Sequence, residues 1–132
     1  MSATRYDVIG IGNAIVDVLS HSDEDFLKRQ KMPKGSMSLI DESRAEAIYN
    51  AMGPVIECSG GSAANTIVGV AMLGGKSAFI GKVKDDELGH TFARDIRASG
   101  VAFSTPLAKD GPATARSFIL VTPDGQRTMN TY

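Results

Sequence analysis

Tryptophan is absent from this chain, tyrosine occurs three times and phenylalanine five times, so there is no aromatic platform on which unpaired bases could stack. Positive charge is not in excess either. Fourteen Lys and Arg against fifteen Asp and Glu leave a formal charge of −1, which excludes the electrostatic footprint of a nucleic-acid binder. The single cysteine, Cys58, rules out an internal disulfide framework and a thiolate metal site. The two histidines, His21 and His90, lie far apart with no companion ligand spacing, so both read as surface residues and no metal site is expected. No apolar run approaches the roughly 20 residues that cross a bilayer. The opening "MSATRYDVIGIG" lacks the basic stretch and long apolar core of a secretory signal. These absences point to a soluble protein of a reducing, cytoplasmic compartment, with neither nucleic acid nor membrane as partner.

What is present is ordinary globular material. The 132 residues are 42% apolar and 22% charged, enough for one domain with a real core. "YDVIGIGNAIVDV" opens with Val8, Ile9 and Ile11, short and β-branched, and reads as a buried strand. "HSDEDFLKRQKMPKGSMSLID" is polar and loop-like, with Pro33-Lys34-Gly35 as a turn and short strand pieces around Met37–Ile40. In "DESRAEAIYNAMGP", Asp41 caps a helix whose Ala45, Ile48, Tyr49 and Met52 share a face and which Gly53-Pro54 ends.

"ECSGGSAANTIVGVAMLGG" follows as strand, glycine turn and helix, with Ser62 as the cap and Ile67, Val70, Ala71 and Leu73 as the buried stripe. "KSAFIGKV" is another strand, and "DDELGHTFARDIRASG" is a helix with Leu88, Phe92 and Ile96 on one face. The closing "PATARSFILVTPDGQRTMNTY" reads as a hairpin around Pro123-Asp124-Gly125. Strands alternating with helices predict an α/β fold with a mostly parallel sheet flanked by helices. Two polar excursions, 19–40 and 112–132, break that alternation and are expected to form a small β lid, leaving 1–18 and 41–111 as the core. "RTMNTY" stops as if in mid-strand, so the chain reads as a fragment.

Two clusters of polar residues sit where open α/β sheets bind ligands, beyond the carboxyl ends of strands. In "GIGNAIVD", the Asn13 amide and Asp17 carboxylate suit a pair of vicinal hydroxyls; a turn at Asn13 and a solvated or capping Asp17 is the plainer alternative. In "GGSAAN", Gly60 and Gly61 permit close backbone approach and positive φ, and the helix behind them offers free N–H groups. With Ser62 as cap, Asn65 falls one turn in and can point back toward the glycines. A tight strand–helix corner made only for packing fits the same residues. Ile15 stands where a dinucleotide fingerprint needs its third glycine, and no GxxxxGK[ST] occurs, so neither a dinucleotide site nor a P-loop is present.

The stretch "GGSAANTIVGVAMLGGKSAFIGKVKDDELG" resembles the first signature of the PfkB/ribokinase family of carbohydrate and nucleoside kinases, and "GNAIVD" resembles its N-terminal substrate motif. The finer pattern "GNAIVD…DEDFL…TARSFILVTPDGQRTMNTY" is similar to the adenosine-kinase-like branch. The resemblance covers essentially the whole chain. It implies a ribokinase-like fold in which Asp17 holds the acceptor's ribose hydroxyls with Asn13, Gly60, Gly61 and Asn65. It implies that Ser36, Met37 and Ser38 line the base side of the pocket from the lid and that Met129 faces the purine. Arg127 matches a lid arginine that reaches the transferred phosphate, where a guanidinium suits spreading charge. Ordinary lid packing for Met37 and Met129, and a solvated hairpin position for Arg127, remain open.

The sequence also departs from the family pattern. The family's catalytic aspartate, in a glycine-rich anion-hole motif, and its ATP and monovalent-cation sites (K⁺ among them) match nothing here, since no "GAGD" occurs. The expectation is therefore the acceptor half of an ATP- and Mg²⁺-dependent kinase acting in purine salvage on the 5′-hydroxyl of adenosine or a related ribonucleoside. Its base lies beyond Tyr132, and this segment alone is inactive and binds no cofactor. The nearest rival is a sugar kinase using ribose, fructose or another ketose; a second is a non-catalytic module for ribosyl ligands. A monomer and a lid-mediated homodimer are both compatible with an unpaired strand edge.

Overall fold

The computed structural model describes residues 3–132. The elements run β1 (Val8–Ile11), β2 (Ile15–His21), α1 (Glu24–Arg29), β3 (Met37–Leu39), α2 (Glu42–Ala51) and β4 (Ile56–Gly60). They continue as α3 (Ser62–Met72), β5 (Ser77–Ile80), α4 (Glu87–Ala98), β6 (Ala115–Val121) and β7 (Arg127–Thr131). The chain divides into two compact units, one of residues up to Val16 with Cys58–Ala115, the other Asp17–Glu57 with Arg116–Tyr132.

In the first unit β1 and β5 pair in parallel, Val8 opposite Ser77 and Ile11 opposite Ile80. Helix α3 packs on this pair so closely that a Cβ on Gly10 would lie 2.4 Å from the Ile67 side chain. Ala64 and Ile67 carry the buried stripe of α3, and the Ser77 hydroxyl bonds the Ile67 carbonyl at 3.1 Å. Leu73, expected in that stripe, is exposed because it is the C-cap, where the chain turns out of the helix toward Gly74 at φ +89°. Phe79, Phe92 and Phe103 form a ring cluster with centroids 5.5–6.2 Å apart. On the other face of the pair Ile9, Ile11 and Ile80 are exposed.

Asp86 caps α4 through Gly89 N–H at 2.8 Å and also accepts the Thr114 amide and hydroxyl at 2.9 and 2.6 Å. Burial pushes its pKa up, but the bonds from Thr114 and Gly89 outweigh that and hold it below the ordinary carboxylate value. Gly89 itself admits no side chain, since a Cβ there would stand 1.9 Å from the Lys84 carbonyl.

The second unit is built on a five-stranded mixed sheet in the order β3-β7-β6-β2-β4. Strand β3 runs parallel to β7, and β6 and β7 form the expected antiparallel hairpin, Ile119 opposite Met129. The two polar excursions thus meet in one sheet. One face carries Val18, Ser20, Phe118, Leu120, Thr128 and Asn130, all buried. Helix α2 lies on it, with the Tyr49 ring 6.2 Å from Phe118 and the Ser20 hydroxyl 3.1 Å from the Pro54 carbonyl.

Three elements differ from the sequence reading. "YDVIGIGNAIVDV" is two strands rather than one, because the chain leaves its pairing with β5 after Ile11 and β2 joins the other sheet. "DEDFLKRQ", read as loop, contains α1. Asp23 caps it through Phe26 N–H at 2.7 Å, and acids at its start and Lys28 and Arg29 at its end complement the helix dipole. Six residues are too short for an amphipathic period to show. Residues 41–57, read above with 1–18 and 58–111, group instead with 17–40 and 116–132, because α2 packs on Phe118 and Arg44 bonds Gln30.

Lys34 ties α1 to the turn between β6 and β7, 2.5 Å from Glu24 and 2.6 Å from Asp124. The hydrogen bonds from Lys34, then Thr122, bring Asp124 down to about 2. A depressed carboxylate adds stability above its unfolded pKa and loses it as pH falls through the folded one. Lys34→Ala will therefore raise the Asp124 titration midpoint toward the ordinary carboxylate range, and NMR titration of the Asp124 carboxyl checks it.

Candidate functional site

In the first unit the polar cluster forms where β4 passes into α3. Gly61, not Ser62, is the N-cap, with φ 97° and no side-chain capping bond. A glycine is required there twice over: φ lies in the left-handed region, and a Cβ would stand 2.7 Å from the Asn13 carbonyl oxygen. A Cβ on Gly12 would likewise be 2.8 Å from the Ala63 Cβ. The chain around Asn13 and the first turn of α3 are thus pressed together by design of the sequence.

The shift of cap moves Asn65 one position along, to the fourth helical residue, where its backbone N–H already donates to the Gly61 carbonyl at 2.8 Å. Its side chain is exposed. With a glycine cap, no side chain satisfies the N–H groups of Ser62, Ala63 and Ala64, and the positive end of the helix is left for an acceptor. Gly60, the last residue of β4, is buried beside this turn.

In the second unit the face of the sheet opposite α2 carries the other sequence-predicted residues. Ser20 bonds on the helix-covered side, so strand alternation turns Asp17 and Leu19 to the other side. Asn130 and Thr128 are buried under the helices, so Arg127, Met129 and Thr131 alternate onto the same side as Asp17. Met37 pairs with Met129 and joins them. Asp17 is half-buried, and no hydrogen bond or ion pair reaches its carboxylate among the described residues. Burial raises its pKa, and the through-space charge of Arg127 opposes the rise without cancelling it.

Ser36 and Ser38 are placed differently from Met37. Ser38 sits opposite the buried Asn130 and alternates away from Met37. The Ser36 hydroxyl is committed to the Pro33 carbonyl at 2.6 Å, and its own carbonyl accepts the Met129 amide, so it builds the turn. Sequence reasoning missed Leu39, Ile119 and the Ser117–Thr131 hydroxyl pair, 3.0 Å apart, which share the Met129 face. Counting back by twos from the Pro-Asp-Gly turn would have found Ile119 and Ser117. A cleft of about 430 Å³ lies at the end of the helix-covered face, lined by Ser20, His21, Phe26, Arg29, Met52 and Leu120 among others. None of the predicted site residues lines it.

A desolvated carboxylate without a partner costs stability while it is ionised. Because the folded pKa of Asp17 is raised, the penalty is absent below the unfolded pKa and grows as pH rises through the folded one. Asp17→Asn will raise the melting temperature near neutral pH, and the gain will shrink in acid; thermal melts across pH measure both.

Residues 41–132 match the pfkB family carbohydrate kinase profile. The adenosine kinase of Sinorhizobium meliloti is 55% identical, with a TM-score of 0.88 over 98% of this chain and 39% of that one. A probable sugar kinase of Rhizobium etli is 53% identical, TM-score 0.89, with the same coverage. A fructokinase of Solanum tuberosum is 39% identical over 77 residues, 58% of this chain and 24% of that protein. The chain therefore spans well under half the length of these relatives. Its α/β architecture is ribokinase-like, shared with the solved adenosine kinase, and the chain belongs to the pfkB family of carbohydrate kinases.

Proposed function

We propose that this chain is the acceptor-binding part of an ATP-dependent phosphotransferase, and that the acceptor is adenosine or a related ribonucleoside taken at its 5′-hydroxyl. The observation that carries the reading is the half-buried Asp17 carboxylate, which has no partner of its own and so is free to accept hydrogen bonds from two vicinal hydroxyls. Asn13, Gly60, Gly61 and Asn65 are further acceptor contacts in this reading, at the uncapped start of α3. Met37 and Met129 supply apolar surface for a base, and Arg127 the positive charge for a transferred phosphoryl group. Ser36 and Ser38 flank Met37 on the base side in this reading, with the Ser36 hydroxyl bonded to the Pro33 carbonyl at 2.6 Å.

Among the described residues no three or more His, Cys, Asp or Glu gather into a cation site. This reading gives these residues no role in holding Mg²⁺, a monovalent cation or ATP, and names no catalytic base among them. The chemistry left to these residues is binding, orientation and exclusion of water from the acceptor, which lid closure accomplishes. A cytoplasmic enzyme of purine salvage is the setting this reading implies.

A sugar acceptor is the second reading, favoured by the 39% identity to a fructokinase over 77 residues and by the 53% identity to a probable sugar kinase. A sugar has no base to rest on Met37 and Met129, which decides between the two. Calorimetric titration with adenosine, ribose and fructose tests the choice. Met129→Asp will weaken adenosine about tenfold or more by placing a charge against the base, and an unchanged affinity would favour the sugar. Asp17→Ala will weaken either acceptor by about 2 kcal/mol, since two hydroxyls lose a charged partner; unchanged binding removes Asp17 from the site.

A further inference from the structure

We propose that Arg127 is a positioning residue for the acceptor, acting through Asp17: its guanidinium supplies the positive charge that lets Asp17 meet the acceptor hydroxyls as a carboxylate. The proposal rests on the acceptor reading of Asp17 and adds a second role to Arg127 beyond contact with a phosphoryl group.

The sheet itself sets up the pairing. Strand alternation places both side chains on the face turned away from α2, Asp17 on β2 and Arg127 at the first position of β7. The strand between them, β6, presents Ala115, Ser117, Ile119 and Val121 to that face, none of them charged. Met37 and Leu39 on β3 and Met129 and Thr131 on β7 are equally uncharged. The other titratable groups on these strands are Arg116 on β6, which alternates to the Phe118 side with its guanidinium 5.7 Å from the Tyr132 ring, His21, exposed at the end of β2, and Glu57 and Cys58 on β4. Glu57 is engaged by the Tyr49 hydroxyl at 3.3 Å, and His21 lies four residues along the strand from Asp17 in the wall of the outer cleft.

No hydrogen bond shields the Asp17 carboxylate from its burial among the described residues, and Arg127 is the charge that opposes that burial. The two are not within ion-pair distance, so the attraction acts through space and leaves the carboxylate's lone pairs open to a ligand. A direct salt bridge would have occupied them. The separation therefore matters: it stabilises the charged form without competing for the hydroxyls that the charged form would bind.

The test is carbon-detected NMR titration of the Asp17 carboxyl in the wild-type chain, Arg127→Gln and Arg127→Lys, with adenosine affinity measured by calorimetry near pH 5 and near pH 8. Arg127 is exposed, so both variants are expected to fold, and the Lys variant serves as the rescue. The expected result is a higher Asp17 midpoint in Arg127→Gln, most of it reversed in Arg127→Lys. Adenosine affinity should fall further at the lower pH, by about threefold more than at the higher. An unchanged midpoint overturns the proposal and leaves the acceptor reading intact wherever wild type binds adenosine. Equal losses of affinity at both pH values also overturn it, because Arg127 then acts on the ligand alone. Failure of the wild-type chain to bind adenosine, ribose or fructose overturns the acceptor reading, and the proposal falls with it.

Discussion

The first unit depends on one steric constraint, the absence of side chains where α3 meets the chain running from β1 past Asn13. Gly10, Gly12 and Gly61 each face a heavy atom closer than 3.0 Å to where a Cβ would be. At Gly61 that atom is a backbone oxygen, which cannot swing aside as the end of a flexible side chain can. Because these three positions are bare, the helix start sits against the Asn13 backbone, and the polar groups of the motif are brought together by packing. The glycines are therefore both a structural requirement and the reason that an open helix terminus is available there.

The second unit solves a different problem. Its sheet buries one face under α2 with Phe118, Leu120 and Tyr49, and leaves on the other a row of methionines, a carboxylate and a guanidinium. Apolar surface beside an unsatisfied charge is a poor arrangement for stability, since a desolvated carboxylate without donors favours its neutral form. It is a suitable one for a ligand that is polar at one end and apolar at the other. Stability is recovered elsewhere, in the Asp86–Thr114–Gly89 cluster and in the Lys34 bridges, where each carboxylate has its donors in contact.

Much of the local structure was legible because it rests on short-range rules. Asp41 caps a helix where an acid precedes an amphipathic run, and it accepts the amide three residues on. The Pro-Asp-Gly turn fixed the β6–β7 hairpin, and with it the pairing of Ile119 with Met129. Ser62 is the cap that side-chain preference predicts, because serine is a good one. The structure uses Gly61 instead, because only glycine reaches φ 97° beside the Asn13 carbonyl. That conflict is between a side-chain preference and a tertiary contact, and the contact prevailed.

Local sequence sets the class of fold, the glycine-rich turn, the Asp41 cap and the residue types available for binding, because these depend on neighbours within a few positions. Long-range pairing settles that β2 leaves β1 for another sheet, that residues 41–57 group with 17–40 and 116–132, and that Ser38 turns away from Met37. It also decided that Asp17 and Arg127, 110 positions apart in the numbering, share one face and act on each other. Strand order and register follow from pairing between distant segments, and no local pattern records which partner a strand will find.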